Sequence, residues 1–260
     1  MPFSRYRSRY QNGCYDIAGL PPLDDALHVW SKDLAPGADF CDMELLLSVE
    51  ELQRANRFRF AQDRDRYVIG RAWLRQVIAA YLIQMPADLL LASGPQGKPQ
   101  LAASYASAIT FNASGSLGRA LLAVSTGRQV GVDIELIRTI KDAPALANRY
   151  FSADESRALQ RLQHDSAPEQ VLSRLFLIGW TRKEAVVKAL GIGLNDRLSD
   201  IETGIEPDDR AVDCSVFDAG VRRLWLSSWQ DEAHAVMSLA VTAPVSQTVL
   251  IDSPGAEHHP

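Results

Sequence analysis

Asp133 and Glu135 stand two apart in the run VGVDIE, and Glu184 and Lys188 stand four apart in WTRKEAVVK. On a strand the two carboxylates leave one face about 7 Å apart, while Val132 and Ile134 turn the other way into apolar packing. On a helix Glu184 and Lys188 share one side, together with Trp180 and Val187. Each pair has an ordinary reading. Acids at a strand end aid solubility, and an i, i+4 ion pair contributes only ~0.2–0.5 kcal/mol to a helix. Taken together, three carboxylates from a strand and a helix compose an all-oxygen site suited to Mg²⁺, a hard ion that keeps waters and bridges to a substrate diphosphate. The apolar run Val130, Val132 and Ile134 favours this reading, because it places the strand near a core where unpaired carboxylates are costly. Arg54, Arg66, Lys98 and Lys188 supply cations for phosphate oxygens. Of the five lysines in the chain, three (98, 183 and 188) lie in or beside these segments.

The elements that must carry these residues follow from periodicity. From Glu50 to Leu82 the chain reads as helical, with Ile69, Trp73, Val77 and Tyr81 recurring at i, i+4 on one face. Between positions 54 and 75, seven arginines against two aspartates leave a local excess of +5, which alone reads as a solvated helix face. SGPQGKP (93–99) is turn chemistry. ITFNASGS comes next, and ALLAVSTGRQVGVDIE then predicts a hairpin: a strand at 120–124, a turn at Thr126 and Gly127, and a return strand at 129–135. FSADE opens a helix, since Ser152 and Glu155 have capping-box spacing. A long helix is predicted from Pro168 to a stop at Gly191, then strands in RRLWLSSWQ and HAVMSLAVT, then a loose tail after Pro244. Helices and strands mix without steady βαβ alternation, so the fold class is α+β.

Composition bounds the rest. With 260 residues, 47% hydrophobic and 23% charged, the chain can bury a full core as one large domain or two. A net charge of −5 argues against a surface built for nucleic acid. No apolar run reaches the ~18 residues of a membrane span, and no secretory signal opens the sequence. Cys14, Cys41 and Cys214 show neither disulfide nor zinc spacing and read as small buried fillers in a cytoplasmic protein. The five histidines have no ligand spacing, and Glu155 reads as a cap.

The ordered set of Arg66-Tyr67 in an arginine-rich helix, GKP at 97–99, FNASGS at 111–116, VGVDIE at 130–135, FSADE at 151–155 and WTRKEAVVK at 180–188 resembles the Sfp-type 4'-phosphopantetheinyl transferases. The resemblance spans roughly 50–198. It implies a pseudo-two-fold pair of similar α/β subdomains, here 1–128 and 129–244 with a tail at 245–260, and a coenzyme A site in the cleft between them. It also implies a Mg²⁺-dependent transfer of 4'-phosphopantetheine from coenzyme A to a serine of an acyl or peptidyl carrier protein, releasing 3',5'-ADP, by a chain acting as a monomer.

Position by position, the resemblance implies that Asp133, Glu135 and Glu184 hold Mg²⁺. Glu184 is the candidate base, and Lys188 and Asp133 complete the catalytic set. Arg54, Arg66, Gly97, Lys98, Pro99, Ser114, Gly115 and Lys188 are implied to contact coenzyme A. Two positions depart from the pattern. Gly115 stands where the family's S-H-S motif has His, leaving a phosphate contact to a backbone N–H or to a neighbour such as Arg119. Glu51 stands where an early basic contact is usual. Two other readings remain at this point: a degenerate member that binds coenzyme A or a carrier protein without turnover, and another Mg²⁺ enzyme acting on diphosphates. No Walker-type loop supports the latter.

Overall fold

The structure is a computed structural model describing residues 3–11, 14–37, 40–94, 97–192, 198–216, 220–231 and 235–253. In chain order, strands β1 (Phe3–Arg7), β2 (Tyr10–Gln11), β3 (Cys14–Tyr15) and β4 (Ala26–Asp33) lead to helices α1 (Phe40–Glu44), α2 (Val49–Ala55) and α3 (Ala61–Leu82). Strands β5 (Leu91–Ser93), β6 (Pro99–Leu101), β7 (Ile109–Ser116), β8 (Arg119–Thr126) and β9 (Val130–Leu136) follow, then helices α4 (Ala143–Tyr150), α5 (Ala153–His164) and α6 (Glu169–Leu190). Strands β10 (Arg210–Val216), β11 (Gly220–Gln230), β12 (Ala235–Val241) and β13 (Gln247–Asp252) close the described chain. The fold class is α+β.

Strands apolar on both faces need cover on both sides, and that requirement produces four layers. The first sheet has the order β1-β13-β4-β8-β7 and the second β10-β11-β12-β9. One face of the first sheet, with Trp30, Leu122, Val124 and Ile251, packs on Ile69, Trp73 and Val77 of α3. Its other face, with Leu27, Val29, Leu121 and Ala123, packs on Val130, Val132 and Ile134 of β9 and Met237 and Leu239 of β12. The far face of the second sheet, with Leu224, Leu226 and Ala240, lies under Ala185, Val186 and Ala189 of α6. Strand alternation thus sends Val132 and Ile134 to the inter-sheet core and Asp133 and Glu135 to the helix side.

Four expectations change. The helix expected over 50–82 is two helices, because α2 ends at its C-cap Asn56 and α3 starts after Phe60. The hairpin expected between β8 and β9 does not form. Both edges of β8 are taken by β7 and β4, and β9 crosses to the second sheet and pairs with β12. The expected tail contains β13, which lies parallel between β1 and β4 and buries Val249 and Ile251; 254–260 lie outside the described residues. Of the cysteines, Cys214 is buried, Cys14 half-buried and Cys41 exposed. Both Ser152–Glu155 and Ser48–Glu51 close capping boxes, and α6 ends at Gly191 in the left-handed region (φ 70°). Among the described residues no helix is long and apolar enough to cross a membrane.

A buried histidine ties the first sheet to α3. Trp30 Nε1–H donates to the Tyr81 hydroxyl (2.9 Å), which lies 2.6 Å from His28 Nδ1, while His28 Nε2 lies 3.0 Å from the Pro21 carbonyl oxygen. With Nε2 as donor and Nδ1 as acceptor, the neutral ring satisfies all three contacts. Burial lowers His28 from its ordinary value to about 4. The unfolded chain takes up this proton near pH 6.5 and the native chain only near 4, so stability falls as pH drops between those values. We predict that urea unfolding free energy is about 2 kcal/mol lower at pH 5 than at pH 7 on account of this group, and that His28→Gln flattens the slope. An unchanged slope in the variant contradicts the assignment.

Candidate functional site

The site begins with a missing side chain. A Cβ built on Gly131 would lie 2.0 Å from the Ala185 carbonyl oxygen and 2.5 Å from the Ala189 amide nitrogen. Only glycine lets the backbone of α6 rest directly on β9. That contact brings Glu184 and Lys188 over Asp133 and Glu135, which share Gly131's face of the strand.

Lys188 Nζ then lies 2.7 Å from Asp133 Oδ1, 3.0 Å from Ser114 Oγ and 3.3 Å from the Val132 carbonyl oxygen. Ser114 Oγ donates to the same Asp133 oxygen at 2.6 Å. Ser116 Oγ donates to Glu135 Oε2 at 2.8 Å, and Arg138 donates to that oxygen at 2.8 Å. Lys98 Nζ donates to the carbonyl oxygens of Lys188 (2.9 Å) and Val130 (3.4 Å). It thereby places a cation on the last turn of α6, where carbonyls lack helical partners. Gly97, at φ 73°, makes the turn before it, and Pro99 starts β6.

Charge is unevenly matched here. Burial, and then the Asp133 charge, lift the Glu184 carboxyl to about 7 against the pull of Lys188. Burial also pushes Asp133 up, while Lys188 and Ser114 draw it back. Burial and the neighbouring Lys188 ammonium lower Lys98 to about 8. Among the described residues, no three His, Cys, Asp or Glu side chains are brought together closely enough to hold a metal as they stand. The donor chemistry nevertheless fits a hard divalent cation, since the carboxylates of Asp133 and Glu135 lie close enough to Glu184 to raise its proton affinity.

The other expected residues are placed as follows. The Arg54 guanidinium lies over the Tyr67 ring at 5.5 Å, and among the described residues no recorded contact joins it to the carboxylates. Arg66 lies against Gly118 in the β7–β8 turn, next to Ser116. Gly115 points away from Ser114 and Ser116 by strand alternation, and a Cβ there would meet only the Arg119 carbonyl oxygen, at 3.2 Å. Arg119 itself pairs with Asp231. Glu51 is buried and accepts from Arg71 and Arg75, each at 2.7 Å, so its acidic character serves packing and uses two of the seven arginines. Glu155 does more than cap α5, since it pairs with the fully buried Lys183 at 2.7 Å and accepts from the Thr203 and Gly204 amides. Asn112 and Ser116 were missed as site residues. Their signal was the period-two spacing Asn112, Ser114, Ser116 inside FNASGS.

Comparison with known proteins identifies the family. The family model described as the 4'-phosphopantetheinyl transferase superfamily matches residues 129–240, and that of the 4'-phosphopantetheinyl transferase N-terminal region matches 35–127. The 4'-phosphopantetheinyl transferase HetI of Nostoc is 37% identical over 194 residues, covering 74% of this chain and 79% of its own. A putative 4'-phosphopantetheinyl transferase of Synechocystis is 33% identical over 170 residues, 65% of each chain. The 4'-phosphopantetheinyl transferase psf-1 of Bacillus pumilus is 30% identical over 192 residues, 74% of this chain and 75% of its own. The chain belongs to the 4'-phosphopantetheinyl transferase family.

The close approach at Gly131 has a measurable consequence. Gly131→Val is expected to cost about 3 kcal/mol or more in urea unfolding, because the helix backbone cannot yield as a flexible side chain does. Wild-type stability in this variant contradicts the seating of α6.

Proposed function

We propose that this member of the family transfers the 4'-phosphopantetheine group from coenzyme A to a serine of an acyl or peptidyl carrier protein and releases 3',5'-ADP, with Mg²⁺ as cofactor. The single observation that carries this reading is the convergence of Asp133, Glu135, Glu184 and Lys188 where the two sheets meet. Such a transfer asks mainly for positioning and for neutralisation of charge on phosphate oxygens.

In the proposed reaction the carrier's serine oxygen forms a bond to the β-phosphorus of coenzyme A, and the bond from that phosphorus to the bridging oxygen breaks as 3',5'-ADP leaves. Glu184 takes the serine proton directly or through a water. Lys188 turns its ammonium toward phosphate oxygens, and Arg54, Arg66, Lys98 and Ser114 hold the remaining phosphates or the adenine end. Asp133, Glu135 and Glu184 would hold Mg²⁺, which supplies charge neutralisation at the diphosphate when bound. We further read the chain as two subdomains, 1–128 and 129–244, with β13 returning to the first. Support comes from the two family matches, which meet between residues 127 and 129, and from the single 22-residue helix on each sheet. The free cysteines accord with a cytoplasmic setting.

The test is incubation with coenzyme A, Mg²⁺ and several apo carrier proteins, read as a phosphopantetheine mass gain on the carrier. Transfer by wild type and its loss in folded Glu184→Gln, by about 100-fold or more, is the expected outcome. Tight coenzyme A binding with no mass gain on any carrier contradicts the reading and favours a binding-only member. A Cβ at position 115 needs only a few tenths of an ångström of adjustment at the Arg119 carbonyl, and Gly115→His is predicted to lower the KM for coenzyme A several-fold. An unchanged KM would show that position 115 makes no phosphate contact.

A further inference from the structure

The serines of FNASGS reach across to the second sheet with one spacing. Ser114 meets Asp133 and Ser116 meets Glu135, each pair separated by 19 residues, so β7 and β9 run side by side in the same direction. Neither is hydrogen-bonded to the other through the backbone, since they belong to different sheets. Asn112 extends the series by accepting from the Val132 N–H at 2.8 Å. Both serines do the same thing to their carboxylate: each ties one oxygen, Asp133 Oδ1 or Glu135 Oε2. Among the described residues no hydrogen bond is recorded to the other oxygen, Oδ2 or Oε1. Ser116 is further locked by the Leu136 N–H, which it accepts at 3.4 Å. The second partner of Glu135, Arg138, is 44% exposed and so gives weak orientation.

We propose that Ser116 is a positioning residue that fixes the rotamer of Glu135 so that its free oxygen is presented to a divalent cation. This rests on the metal reading above. Hydrogen bonds to a ligating carboxylate hold it in its coordinating orientation, and their removal weakens metal binding by about 10-fold to 100-fold. With Ser116 absent, Glu135 keeps only a solvated arginine on one side.

The experiment titrates the full-length chain with Mn²⁺ and reads bound metal directly by electron paramagnetic resonance, beside the Mg²⁺ dependence of transfer. For Ser116→Ala we expect about 10-fold weaker Mn²⁺ binding, a matching rise in the Mg²⁺ concentration giving half-maximal rate, and turnover that recovers as Mg²⁺ is raised. Ser116→Thr keeps the hydroxyl and should restore wild-type binding, with the melting temperature alike in all three proteins. Wild-type Mn²⁺ affinity in Ser116→Ala overturns the proposal while leaving the metal reading standing. A loss that Ser116→Thr does not restore, accompanied by a lower melting temperature, assigns Ser116 to packing and also overturns it. Failure of the wild type itself to bind Mn²⁺ removes the metal reading and the proposal with it.

Discussion

Each of the two large sheets ends at an edge strand, β7 in one and β9 in the other, and where these edges run alongside each other side chains do the joining that backbone ladders do within a sheet. The Asn112 carbonyl takes a β9 amide, and the Ser114 and Ser116 hydroxyls take the two acids. Three demands meet in that seam. Buried β9 groups need hydrogen-bond partners, the two sheets need a fixed alignment, and the acids need a fixed direction. A short polar side chain at every second residue of β7 meets all three.

The remainder of the site is arranged around this seam. Gly131 admits α6 to the other side of β9, so Asp133 is held between a β7 serine and an α6 lysine. Lys98, from the β5–β6 hairpin, reaches the last turn of α6 and ties a third segment to the same place. The outcome is electrostatically incomplete: Lys188 is committed to Asp133, while Glu184 remains near Asp133 and Glu135 with its proton affinity raised. Perturbed carboxylates of this kind cluster at functional sites. The buried Glu155–Lys183 pair shows the contrast. There every carboxylate oxygen is matched and the group serves architecture.

Much of this was legible in the order of residues. The alternation in VGVDIE told which residues face the core, and Ser152 with Glu155 and Gly191 set helix ends correctly. Other features depended on contacts between distant segments. The hairpin expected of β8 and β9 failed because adjacency in sequence carries no information on which strand fills each edge. Strand β13 was overlooked because QTVLID is short and follows a proline, although Val249 and Ile251 already alternated. Glu51 looked like a lost basic contact until Arg71 and Arg75 were seen to converge on it. The serine spacing was visible in FNASGS, but its meaning required a partner strand 19 residues on.

The central claim is that Asp133, Glu135 and Glu184 act as one oxygen cage for a cation that meets the diphosphate of coenzyme A. Its most direct test is anomalous diffraction from crystals grown with Mn²⁺ and coenzyme A. The account predicts one manganese peak held by Asp133, Glu135 and Glu184, with Lys188 moved from Asp133 to phosphate. Manganese bound elsewhere, or coenzyme A bound while Lys188 stays on Asp133 and the carboxylates hold no metal, would contradict it.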